Sequence, residues 1–102
     1  MKFKHIGSNK ETWWVPVTFR ASDMQDLLSP VDKSRYYEFE IHIRVEVTPS
    51  PEGKAFSFTG DWALPPAGNY PDRVLDAIEM YLRIINVAAK FEKTIKETIV
   101  AL

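Results

Sequence analysis

From Tyr37 to Val47 every second residue is apolar. Tyr37, Phe39, Ile41, Ile43, Val45 and Val47 alternate with Glu38, Glu40, His42, Arg44 and Glu46, and Tyr36 and Thr48 extend the polar series. A period of two is that of a strand with one buried and one wet face. Pro49-Ser50-Pro51-Glu52-Gly53 reads as a turn, after which Phe56, Phe58 and Trp62 return on the buried side, with Ala55, Ser57, Thr59 and Asp61 opposite. Together these segments predict a hairpin. Upstream, Trp13, Val15, Val17 and Phe19 alternate with Trp14, Pro16, Thr18 and Arg20. Pro16 has no N–H to give to a ladder, which places this strand at a sheet edge. Residues 2–6 predict a further short strand. Between the strands, Ser22 with Gln25 three positions on has the form of a capping box, opening a short helix over residues 23–28 that Ser29-Pro30 ends.

The pattern changes period after Tyr70. Asp72, Asp76, Glu79, Arg83, Asn86, Lys90, Lys93 and Glu97 fall alternately four and three apart, a single polar stripe on a helix. No glycine or proline follows Pro71, so the segment reads as one long C-terminal helix of about 48 Å. A break near Asn86 that folds the helix back is the alternative. Asp72, Asp76 and Glu79 stand near the positive end of the helix dipole, and Lys90, Lys93 and Lys96 near its negative end. Pro71 suits the first turn, with Asn69 or Tyr70 as cap. Up to Phe91 the remainder is apolar around a wide arc, wider than one sheet covers. The expected fold is therefore α+β in two layers, an antiparallel sheet of three or four strands under one long helix. It forms a single domain over residues 1–102.

The wide arc predicts a partner, most simply a second copy. Met80, Tyr81, Ile84, Val87, Ala88 and Phe91 are the expected contact residues on the helix. Trp14 is expected in an interface, while its neighbour Trp13 packs in the core.

Composition narrows the chemistry. The 102 residues are 45% hydrophobic, enough for a modest core, and carry a net charge of −1. Cysteine is absent, which removes disulfides, thiolate metal ligands and a cysteine nucleophile, and is compatible with a reducing cytoplasm. The N-terminus lacks the apolar core of a signal peptide, and no stretch approaches the length of a membrane span. A cytoplasmic location is expected. None of the serines lies in a Gly-x-Ser-x-Gly elbow, and the four glycines form no phosphate loop.

A site is expected on the exposed sheet face, formed by Tyr36, Glu38, Glu40, His42 and Arg44. Glu38, Glu40 and His42 project from one side of one strand, which is the arrangement a metal- or small-molecule-dependent enzyme would use. Trp14 and Tyr36 with Arg20 and Arg44 would suit single-stranded nucleic acid, but Glu38, Glu40, Glu46 and Asp61 oppose a polyanion. The tract from the long strand through Pro51-Glu52-Gly53-Lys54-Ala55-Phe56-Ser57-Phe58 to Tyr70-Pro71 resembles part of the fourth domain of translational translocase factors in its order of elements. The glycine-rich approach to the first strand is absent, and the resemblance implies no residue role here.

The expectation that follows is a non-catalytic protein–protein interaction module. It would act by stoichiometric binding as an accessory, inhibitory or immunity-type protein, as a homodimer or against a larger partner. No catalytic residue, metal or cofactor is assigned.

Overall fold

The structure, a computed structural model, describes residues 10–101. The strand expected over residues 2–6 lies outside them. Three strands form one antiparallel sheet in the order β1-β2-β3: β1 is Glu11–Arg20, β2 Glu38–Ser50 and β3 Gly53–Ala63. The β1–β2 register runs without interruption from Glu11 opposite Val47 to Arg20 opposite Glu38. One face carries Val15, Val17, Phe19, Phe39, Ile41, Ile43, Val45 and Val47, all buried, as the period of two requires.

The β2–β3 ladder holds a bulge. Ile43 pairs with Trp62 but Val45 pairs with Phe58, so β3 spends two extra residues opposite Arg44. Because the excess is two, Phe58 and Trp62 both keep the inward parity expected of them. Gly60 turns this corner at φ +89°, a region that a Cβ disfavours.

Two points in the β1–β2 connection correct the sequence pattern. The short helix expected over residues 23–28 is present as a kinked 3-10 segment, Ala21–Leu27, but Gln25 sits at φ 51°, ψ −128°, and no side chain caps the start, so the Ser22/Gln25 capping box does not form. Ser29-Pro30 opens a helix instead of closing one. The helix α1, Pro30–Arg35, has Ser29 as N-cap, its Oγ accepting from the Asp32 N–H at 3.1 Å, and Pro30 in the first turn. Tyr36 caps the end of α1, its N–H bonded to the Asp32 carbonyl, and β2 begins only at Glu38. The alternation therefore does not reach back to the tyrosines. Tyr37 is exposed, and Tyr36 leaves the outer sheet face to pack half-buried against Phe39 and Tyr70, with ring centroids 6.1 and 5.1 Å away.

The C-terminal third is helical but not continuous. Helix α2 spans Asp72–Ile84 and α3 spans Val87–Ala101, with Ile85 extended at φ −91°, ψ 164° between them. The break falls at Asn86, the alternative position read above. Asn86 caps α3: its Oδ1 accepts the Ala89 N–H at 3.1 Å and its carbonyl the Lys90 N–H at 2.9 Å. The reason is one of phase. Buried Val74, Ile78, Tyr81 and Leu82 define the inner face of α2, and buried Phe91, Ile95 and Ile99 that of α3. At 100° per residue on one straight helix these faces would lie roughly a quarter turn apart. Both meet the same core only because the elbow resets the phase.

The helices cover the inner sheet face together. Phe19 is the meeting point, with Tyr81 of α2 at 5.1 Å and Phe91 of α3 at 6.4 Å between ring centroids. Helix α2 also packs on the 3-10 segment, and α3 crosses from β1 to β3. The buried side chains form one contiguous cluster. The molecule is elongated, 57 × 23 × 21 Å with a radius of gyration of 16.4 Å. The inner faces of both helices find cover within their own chain.

An ion pair between buried Asp32 and exposed Arg73 joins α1 to α2. Asp32, 3% exposed, receives both Arg73 Nε at 3.0 Å and Arg73 Nη2 at 2.9 Å, and Ser29 Oγ donates to it at 3.1 Å. The Arg73 hydrogen bonds hold the Asp32 carboxyl below its ordinary value against the opposing effect of burial, and raise Arg73 in turn.

Candidate interaction surface

Among the described residues, three surfaces bear on a possible partner. The first is the outer sheet face, where Trp14 stands opposite Arg44, Pro16 opposite His42, Thr18 opposite Glu40 and Arg20 opposite Glu38. Trp14 is 49% exposed. The polar residues here pair locally. Arg44 reaches Asp61 at 2.9 Å across the bulge, Thr59 Oγ1 donates to the Arg44 carbonyl at 3.2 Å, and His42 lies 3.8 Å from Glu40. Glu38, Glu40 and His42 do not assemble as ligands: among the described residues no group of three or more His, Cys, Asp or Glu is placed to hold a metal ion. Nor does the face form a basic track, since Arg44 is engaged by Asp61 and Arg20 lies over the Tyr37 ring at 5.3 Å. The catalytic and nucleic-acid alternatives gain nothing from this geometry.

The second surface is the outward side of α2. Of the contact residues expected on the helix, Tyr81 (5% exposed) and Phe91 (3%) belong to the core, gripped by Phe19 as described. Tyr81 lies on the same inner side of α2 as Ile78 and Leu82, and the elbow turns Phe91 of α3 inward as well. Met80 (51%) and Ile84 (65%) stay exposed, one turn apart. Asp76 and Arg83 flank them four residues before and three after Met80, both exposed. Arg83 Nε is 2.9 Å from Glu79. Asp76 forms no ion pair among the described residues.

The third is a cleft of about 410 Å³ where the elbow overhangs the β3 bulge. Phe58, Trp62, Leu82, Ile85, Val87 and Ala88 supply its apolar lining, with Ile43 beneath and Gly60, Asp61, Arg83 and Asn86 also contributing. Val87 and Ala88, expected at an interface, are thus half-buried walls of this cleft. Trp62 Nε1 donates to Glu79 at 3.3 Å, which ties the strand to α2 at the cleft mouth.

Neither the cleft nor the Asp32–Arg73 clamp appears among the sequence-based candidates. The clamp had a local signal in Ser29-Pro30-Val31-Asp32, a cap with proline at the first helical position and a carboxylate at the third. The cleft had none, because its walls come from β2, β3 and both sides of a helix break. No helix among the described residues is long and apolar enough to cross a membrane. No family model, curated protein or solved structure matches the chain.

Proposed function

We propose that the protein is a non-catalytic interaction module that acts by stoichiometric binding, and that its first partner is a second copy of the chain, joined through the outward side of α2. The observation that carries this is the arrangement of Asp76, Met80, Arg83 and Ile84 on that side. Met80 and Ile84 keep half or more of their surface in water, and opposite charges, Asp76 and Arg83, stand on either side of Met80.

Two α2 helices crossing antiparallel about Met80 would bury Met80 against its copy and lay each Ile84 across the turn of its partner that carries Asp76 and Ala77. Asp76 of one protomer would then face Arg83 of the other, twice, sharing the guanidinium with the Glu79 that already holds it, which gives the self-complementarity that a two-fold contact requires. Antiparallel crossing also opposes the two helix dipoles. A parallel crossing would set like charges against each other.

The test is the solution mass by light scattering over a concentration series. The expected result is a species of twice the 11.8 kDa chain mass, and Ile84→Lys should return it to the monomer. Because Ile84 is 65% exposed, the substitution should change fold stability by no more than about 0.5 kcal/mol. A wild-type chain that stays monomeric at all concentrations refutes the proposal.

A further inference from the structure

The elbow cleft opens beside Arg83 and Ile85 at the C-terminal end of α2, and its chemistry is distinct from that of the exposed Met80 and Ile84. Its volume of about 410 Å³ falls within the range of small-molecule sites, which is about 300–1,000 Å³. The floor and walls are aromatic and aliphatic, from Phe58, Trp62, Leu82, Ile85, Val87 and Ala88. The charges at its mouth are already neutralised in pairs. Asp61 is held by Arg44 at 2.9 Å, and Arg83 by Glu79 at 2.9 Å.

A charged guest would have to shed water opposite groups that have no unmatched charge to offer it, which is unfavourable. An uncharged guest would meet no such cost and would cover apolar side chains now open to solvent. One polar group at the rim has capacity left. Asn86 commits its Oδ1 to the Ala89 N–H, while its Nδ2 donates to no described residue and is available to an acceptor.

We propose that this cleft is a binding site for a small uncharged aromatic molecule carrying a carbonyl-type acceptor. The ring lies against Phe58 and Trp62, and the acceptor takes its hydrogen bond from Asn86. Specificity comes from the neutral rim, which discriminates against ions of either sign, and from the depth set by the small side chain of Ala88.

The test is an NMR titration of the full chain with acetophenone, set beside benzoate and benzylamine as anionic and cationic counterparts of similar size. Acetophenone should give saturable shifts at the Trp62 indole N–H and the Val87 and Ala88 amides, with a dissociation constant of about 1 mM for so small a probe. The two ions should bind at least about tenfold more weakly. Ala88→Phe, which fills the cleft, should abolish the shifts. Asn86→Asp keeps the helix cap but replaces the donor with a charge, and should weaken acetophenone by about tenfold, a readout that stands if Ala88→Phe fails to fold. Shifts that rise linearly without saturating, equal or tighter binding of either ion, or binding unchanged in a folded Ala88→Phe or Asn86→Asp protein would each overturn the proposal.

Discussion

Replacing Asn86 with alanine tests why the C-terminal helix bends. The side chain makes one structural bond, accepting the Ala89 N–H at 3.1 Å. The substitution removes that acceptor and leaves the carbonyl bond to Lys90 in place. Loss of an N-cap costs typically about 1 kcal/mol, which corresponds to a fall of roughly 4–8 °C in the melting temperature of a domain this size.

Alanine is also the best helix former, so the same change removes an obstacle to continuing α2 straight into α3. If local preference alone set the bend, Asn86→Ala would gain helix and stability. The phase argument predicts the opposite. A straight helix would swing Phe91, Ile95 and Ile99, all nearly inaccessible, roughly a quarter turn away from the core that α2 faces, at a cost of several kcal/mol of apolar burial. The bend should therefore persist and the protein should simply be weaker. Thermal unfolding followed by circular dichroism measures both quantities at once, with Asn86→Asp as a capping control expected within a few tenths of a kcal/mol of wild type. An Asn86→Ala protein with more helix and a higher melting temperature would refute the reasoning.

Two further outcomes are expected besides those of the mass and titration experiments. Ile95→Ala, at a position with no exposure, should lower the unfolding free energy by about 2–5 kcal/mol in urea titrations, which would show that α3 is an integral part of the core. Asp32 has a folded-state pKa held below its ordinary 3.8, chiefly by its Arg73 hydrogen bonds. Its contribution is thus complete above 3.8 and is lost as pH falls from there through the lower folded value. The difference in unfolding midpoint between wild type and Asp32→Asn should shrink across that acid window and hold steady above it; a constant difference throughout would show that the carboxylate charge contributes nothing.

The strands were legible because a side-chain period of two leaves no freedom. Once one face of β2 is buried, Phe39, Ile41, Ile43, Val45 and Val47 must share it, and they do. Even the β3 bulge preserved that reading, because its two extra residues conserve parity. The polar stripe from Asp72 to Glu97 was equally legible, and its members are exposed or, for Glu79, half-exposed. Where local signals carried two meanings, the tertiary structure chose. Ser29-Pro30 can end one helix or begin the next, and the bond between Asp32 and Arg73, 41 residues apart, favours the beginning. Asn86 can sit on a polar stripe or cap a new helix. Nothing within the segment decides, since only the sheet beneath fixes the direction in which both apolar faces must point. The sequence by itself determined the buried faces of β1 and β2 and the polar stripe of the C-terminal helical segment. The elbow, and with it the cleft and the exposed pair Met80 and Ile84, came from the requirement that two helical faces out of phase meet one core.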